Sequence, residues 1–425
     1  MKILKELWDT FRKPLLVVGI FGVLFFVIGT VIPAIRDLVI SQSPIVGIEA
    51  TNDKEYSKSS TIKPSDFEIF AKHENGKKTK INDKGIKLSP TKPNFVGAET
   101  EVTLTKDKWE CTVKVKNKRD KIAEFECGKP NKKDVKATIF NNGELAFTGQ
   151  GDILIYPDNE YPWLTYQGDI PITSVTFGKE VKPIYMDGFF SGLENLSYVD
   201  TLPNSVESLD GAFSECIALK EAPDLMTCTN LLNMNAAFEK SALEKAPKIP
   251  ASVKNMDYCF AGCVDLKEGA DMSEATGVLK AEGLYSGCVT LNKGDLPPNV
   301  KIIASAFEQC INLKQMPAIP ETVEVMNSTF QGASSMIETS AIPASVQDVS
   351  NCFEGCTKIK GTLTVNGNPS RYSGFLMNAA TATNIDLQGN SIMLDILAQE
   401  SEENPNITVN GRTPNYELSY NDLNF

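Results

Sequence analysis

From residue 183 onward, apolar and polar positions recur with a period longer than any single helix or strand. Aromatic anchors stand at Phe190, Phe213, Phe238, Phe260, Tyr285, Phe307, Phe330, Phe353 and Phe375, separated by 22 to 25 residues. A stripe leads into each anchor and a small residue follows it, as in Val206, Leu209, Phe213 and Cys216, at offsets of 3, 7 and 10. The same offsets recur in Leu231, Met234, Phe238 and Ser241, and again in each unit as far as Val346, Val349, Phe353 and Cys356. Such spacing follows one face of a helix, so it predicts a short helix in every unit. Ser205, Asn230, Ser252, Gly277, Asn299, Thr322 and Ser345 stand just ahead of the stripes. All belong to the set that caps helix N-termini. After the anchors, runs such as Cys216-Ile217-Ala218-Leu219-Lys220 and Cys310-Ile311-Asn312-Leu313-Lys314 read as strands. Stacked units would align these strands about 4.8 Å apart in one parallel sheet. No unit can bury its stripe alone, so the repeats require one another and need atypical ends.

Ahead of the repeats the period shortens to two. Asp66-Phe67-Glu68-Ile69-Phe70, Glu101-Val102-Thr103-Leu104-Thr105 and Cys111-Thr112-Val113-Lys114-Val115 alternate as half-buried strands do, and Asn75-Gly76 marks a hairpin. These signals predict a small all-β sandwich within residues 44–128. A hairpin centred on Arg119 would pair Val115 with Ala123, Val113 with Phe125 and Cys111 with Cys127, which predicts a disulfide between the two cysteines, with two buried free thiols as the alternative.

A third pattern is an uninterrupted apolar run. Pro14 to Ile35 carries no charge over 22 residues. That length spans a hydrocarbon core of about 30 Å as a helix. Lys2, Lys5, Arg12 and Lys13 precede it and only Arg36 follows closely. The charge bias predicts a cytoplasmic stub, residues 1–13, a signal anchor at 14–35, and export of everything beyond.

Two resemblances attach to these motifs. Through Gly47-Ile48-Glu49-Ala50, the strand at 66–71, Asn75-Gly76 and Ser89-Pro90, residues 44–128 resemble bacterial immunoglobulin-like domains, which implies a spacer. The order Phe-x-x-Cys-x-x-Leu, then Pro-x-Ser-Val-x-x-Met, resembles the BspA-type leucine-rich repeat. Ala137-Thr138-Ile139, Gly143-Glu144-Leu145, Pro162-Trp163 and Ile172-Thr173-Ser174-Val175 resemble that family's N-terminal cap. This second resemblance implies a surface protein, with adhesion among its roles. The resulting fold class is an α/β leucine-rich-repeat solenoid preceded by an all-β immunoglobulin-like sandwich and one transmembrane helix. The expected boundaries are a cap over 129–182, repeats over 183–375 and a C-terminal cap over 376–425. Within that last cap, strands are expected at 384–389 and 407–411 around a helix at 392–399.

Composition narrows the chemistry. Net charge is −12, with 42 Lys and Arg against 54 Asp and Glu. This argues against nucleic acid, whose phosphates require clustered positive charge. His73 is the single histidine, which leaves little for acid–base or metal chemistry, and no cofactor or catalytic residue is assigned. Cys216, Cys263, Cys288, Cys310 and Cys356 share one repeat position with Ser241 and Ala333. That substitution pattern predicts a packed structural ladder in preference to a metal site. Lys220, Glu244, Lys267, Asn292, Lys314, Ile337 and Lys360 follow the buried end of each predicted strand. They predict an exposed, mostly basic line, within which Lys220, Lys267, Asn292, Lys314 and Lys360 are the candidate binding residues. Asp152, Trp163 and Tyr166 fit buried packing better than a pocket. Asn195, Asn327 and Asn406 lie in glycosylation sequons. The function expected is that of a non-enzymatic, membrane-anchored surface protein recognising a protein or glycan on a host or neighbouring cell. The alternative is a scaffolding component of the envelope.

Overall fold

A computed structural model describes residues 43–423, apart from 58 and 94–98. The predicted anchor at 14–35 lies outside the described residues. Among those described, no helix is long and apolar enough to cross a membrane. The chain divides into two compact units, one ending at Lys118 and the other beginning at Arg119.

The first unit is all β. Strands β1 (Ile45–Thr51), β3 (Glu68–His73) and β4 (Lys78–Ile81) form one antiparallel sheet. A second sheet runs in the order β2 (Glu55–Tyr56), β7 (Trp109–Asn117), β6 (Glu99–Lys106) and β5 (Lys87–Ser89). The alternating residues Ile69, Val102, Leu104 and Val115 turn inward with Tyr56, Ile62, Phe67 and Ile86 to make one core. Gly76 turns the β3–β4 hairpin at φ 80°, a conformation free of cost only for glycine. His73 is buried there, its ring nitrogens 2.7 Å from the Ser43 carbonyl and 2.7 Å from Thr79 Oγ1.

The predicted hairpin around Arg119 does not form. Val113 pairs with Val102, and Cys111 with Leu104, across β6–β7. β8 (Lys121–Glu126) belongs to the second unit, where Phe125 pairs with Ala137 and Ala123 with Ile139 of β10 (Val135–Phe140). Arg119 is drawn the same way, its guanidinium 2.6 Å from the buried Glu144 carboxylate and 4.3 Å from the centre of the Phe140 ring. An unpaired buried carboxylate would be costly, and the arginine offsets that cost. Cys111 and Cys127 therefore sit in separate cores as free thiols, and the predicted disulfide is absent. Residues 119–128 go with the cap.

That cap is a five-stranded sheet beside a short antiparallel pair, β9 (Gly128–Lys129) and β12 (Asp152–Ile153). In it, β11 (Glu144–Gly149) lies between β10 and β13 (Ser174–Phe177), and β14 (Tyr198–Val199) continues the parallel side. Phe147, Trp163 and Phe189 fill its inner face, with ring centres 5.0 to 5.9 Å apart.

The repeats bury the predicted stripes but contain no helix. Two residues before the anchor and two after it, the backbone turns left-handed, at Gly211 and Glu215 around Phe213, and at Ser305 and Gln309 around Phe307. A left-handed residue every fourth position breaks an α-helix. The freed N–H groups cross to the next repeat: Leu209, Gly211, Phe213 and Glu215 donate to Asn233, Asn235, Ala237 and Glu239 at 2.8 to 2.9 Å. The same four-bond ladder joins Ile303, Ser305, Phe307 and Gln309 to Val325, Asn327, Thr329 and Gln331. The expected N-caps acquire a different partner. Ser205, Asn230, Asn299 and Thr322 donate side-chain hydrogen bonds to carbonyls of the preceding repeat, whereas the Ser252 and Ser345 hydroxyls have no partner. The runs expected as strands are turns, with Leu219 N–H bonding back to Cys216.

Anchor rings stack from Phe190 to Phe353 at 5.3 to 5.8 Å. Phe375 meets Phe353 edge-on at 80°, at the unit whose stripe the sequence lacks. Beyond it, β15 (Gly361–Thr364), β16 (Ile385–Gln388) and β17 (Ile407–Val409) pair in parallel, and α1 (Leu394–Gln399) packs four buried side chains beside them.

Candidate functional site

The predicted exposed line exists as a register column. Glu244 N–H bonds to the Lys220 carbonyl, Asn292 to Lys267, Ile337 to Lys314 and Lys360 to Ile337, at 2.8 to 3.1 Å. Six of the seven side chains are exposed and Ile337 is half-buried. Alignment follows from the shared repeat position, because each coil repeats the path of the last.

The column keeps its mostly basic character, but its neighbour does not share it. The next column carries Glu221, Lys245, Glu268, Lys293, Gln315 and Glu338, all exposed, and pairs Glu221 with Lys245, Glu268 with Lys293, and Gln315 with Glu338. The mostly basic line is thus flanked by one of alternating sign. Lys220 Nζ is 2.6 Å from Glu244 Oε1. That hydrogen bond raises the lysine's pKa and lowers the carboxylate's. Lys220 is consequently engaged within the column, whereas Lys267, Lys314 and Lys360 have no carboxylate within ion-pair distance among the described residues. Beside the columns, a groove of about 320 Å³ runs between Pro223 and Pro247, edged by Asp224 and Lys248. The surface offers hydrogen bonding and charge over a broad area.

Behind this surface lies the cysteine ladder. Cys216, Cys263, Cys288, Cys310 and Cys356 are buried, and each thiol donates to the anchor carbonyl of the preceding repeat at 3.1 to 3.2 Å. Burial pushes the Cys216 and Cys310 thiols up to about 12, which keeps them protonated and able to donate. Among the described residues no group of three or more His, Cys, Asp or Glu is placed to hold a metal.

The remaining candidates are anchored in the fold. Trp163 is buried and donates from Nε1 to the Phe189 carbonyl at 2.7 Å. Asp152 accepts from Ile184 N–H at 3.2 Å, and Tyr166 edges a cleft of about 220 Å³ with Gly192 and Glu194. Of the sequons, Asn195 is exposed, Asn406 Nδ2 is tied to the Ala380 carbonyl at 3.0 Å, and Thr329 of the Asn327 sequon is buried on the Ile303 carbonyl. Sequence reasoning missed a second exposed surface, made by the left-handed turns around the anchors. Its signal was glycine recurring two residues before or after an anchor, as at 188, 192, 211, 262, 283 and 287.

The family described as BspA type leucine-rich repeat region matches residues 165–267 and 278–392, in six copies and over just more than half of the chain. A leucine-rich repeat protein from Bacteroides ovatus ATCC 8483 is similar in structure, with 21% identity, a TM-score of 0.46, and coverage of 63% of this chain and 70% of that one. Another from Eubacterium ventriosum ATCC 27560 shows 18% identity, a TM-score of 0.41, and coverage of 65% and 83%. A leucine-rich cell surface protein from Faecalibacterium prausnitzii A2-165 shows 14% identity, a TM-score of 0.24, and coverage of 56% and 94%. No curated protein matches.

Proposed function

The chain belongs to the BspA-type leucine-rich-repeat family, and from that premise we propose that it is a membrane-anchored surface protein whose repeats recognise an acidic protein or glycan. Catalysis has no part in this reading. The observation that carries it is the register column, which holds Lys267, Lys314 and Lys360 exposed and, among the described residues, without a carboxylate at ion-pair distance. Charges arranged this way favour encounter and specificity with an extended anion more than they favour tight burial. In this reading the apolar run at 14–35 is the anchor and the two-sheet unit is an immunoglobulin-like spacer that sets the repeats away from the membrane.

The test uses the full chain in mild detergent on an array of matrix proteins and acidic glycans. Reversing Lys267, Lys314 and Lys360 to Glu is expected to weaken binding by about tenfold or more, with the loss steepest at low salt. Binding that survives the reversal overturns the lysine column. Recovery of resident envelope proteins, with none of the array bound, favours the scaffold.

A further inference from the structure

One left-handed position breaks its own pattern. Two residues before the anchor, the repeats use Gly, Ala, Ser or Asn, but the fourth repeat places Tyr258 there at φ 56°. A bulky residue is a true outlier in this conformation, because its Cβ crowds the following carbonyl oxygen. The residue is nonetheless 41% exposed. One side of it is seated on Gly283, the equivalent residue of the next repeat, and Tyr258 Oη donates to Glu282 Oε1 at 3.3 Å. The ring is held in place with its remaining surface toward solvent.

Two glycines follow in this part of the stack, Gly262 under the Lys240 side chain and Gly287 with no side chain over it. Ala261 N–H closes a turn on the Tyr258 carbonyl at 3.0 Å, and the chain runs directly into Gly262, whose N–H bonds to Ser286. Gly262 and the following repeat's Gly287 occupy a left-handed position that holds Glu215, Lys240 and Gln309 in other repeats. Packing does not demand glycine at 287, since a Cβ there would meet nothing closer than 3.7 Å. The charges in this stretch are paired, Lys280 with Asp257 at 3.3 Å and Lys240 with Glu215 at 3.3 Å.

We propose that Tyr258 is the platform of a binding site for a neutral pyranose within an oligosaccharide. The C–H face of a sugar ring packs on an aromatic face, and the absence of a side chain at Gly287 leaves room for it to approach. Asp257, Glu282 and Lys280 offer acceptors and donors to its hydroxyls. Lys280 is already paired with Asp257, and Glu282 adds a negative charge that accepts from Tyr258 Oη, so an anionic ligand gains little here. This site goes beyond the lysine column and does not depend on it.

The full chain is titrated calorimetrically with cellohexaose, mannohexaose and chitohexaose, and with sialyllactose as the anionic arm. At least one neutral hexasaccharide is expected to bind with an affinity that changes little between about 50 and 500 mM salt. Tyr258→Ala and Gly287→Gln are each expected to weaken it about tenfold or more, and Tyr258→Phe to retain it within about threefold. Gly287→Gln adds a side chain at a left-handed position that holds Gln309 in another repeat, so its melting temperature should fall by only a few degrees, and folded protein that no longer binds separates lost binding from lost structure. The proposal is overturned if no neutral hexasaccharide binds, if sialyllactose alone binds, or if both disruptive variants bind normally. The triple lysine reversal should leave sugar binding intact, so this site and the lysine column fail independently.

Discussion

In the unit ending at Lys118, backbone N–H groups bond across strands of ordinary extended conformation, and alternate side chains face one small core. In the unit beginning at Arg119, the repeats send alternate N–H groups to the next coil, and left-handed residues make that possible. Charge divides along the same boundary. Residues 44–118 carry 15 Lys against 11 Asp and Glu, whereas residues 119–425 carry 22 Lys and Arg against 40 Asp and Glu. The difference teaches that a sheet can satisfy its backbone within one small domain, whereas a coil of this kind depends on its neighbours for both burial and hydrogen bonds. Damage should therefore remain within one unit.

The sharpest way to break that comparison is to remove one ring of the aromatic stack. Phe307 lies 5.3 Å from Tyr285 and 5.5 Å from Phe330. Phe307→Ala should cost about 3–5 kcal/mol and lower the repeat unit's calorimetric transition alone. Leu104→Ala should cost about 2–5 kcal/mol and lower only the first unit's. A single transition moved by both would sink the division.

Alkaline pH supplies the next effect. Buried ladder thiols such as Cys216 and Cys310, raised to about 12, ionise later than they do unfolded. The folded value lies above the unfolded one, near 8.5, so this stability is complete below about pH 8.5 and is lost as pH rises toward 12. Each thiol should steepen the loss by up to about 1.4 kcal/mol per pH unit. Urea unfolding followed at about pH 7.5, 9 and 10 should show the decline in the repeat unit, and Cys310→Ala should flatten it.

At neutral pH, Cys310→Ala should cost about 1 kcal/mol, because the Tyr285 carbonyl loses its 3.1 Å thiol donor. Cys310→Ser keeps a donor and should cost less, and a serine, Ser241, already stands buried at this position in another repeat. The smallest effect expected is a gain. Ala236→Gly relieves a left-handed alanine at φ 48° and should raise stability by up to about 1 kcal/mol. A loss there would mean that the side chain packs more than the backbone strains.

Much of the molecule was legible in its sequence. Stripe residues such as Val206, Leu209, Phe213 and Cys216 are fully buried, because apolar periodicity reports directly on which side chains leave water. The C-terminal helix expected over 392–399 is present as Leu394–Gln399. The lysine column was legible in its register but not in its charge environment, since the flanking line of Glu221, Lys245 and Glu268 becomes a neighbour only when coils stack. The Tyr258 surface was illegible, because no spacing rule announces a left-handed turn at tyrosine. Arg119 was misread for a related reason: the alternation on either side fits a hairpin, and only the buried Glu144, 25 residues on in sequence, draws it elsewhere.

The order of amino acids determined where each repeat begins, which faces are oily and which positions demand small side chains, since burial depends on side-chain chemistry and spacing alone. Tertiary structure decided the direction of the amide hydrogens. Offsets of 3, 7 and 10 suit a helix bonded to itself and also a left-kinked coil bonded to its neighbour. Only the presence of that neighbour, offering carbonyls at the matching height, selects the second.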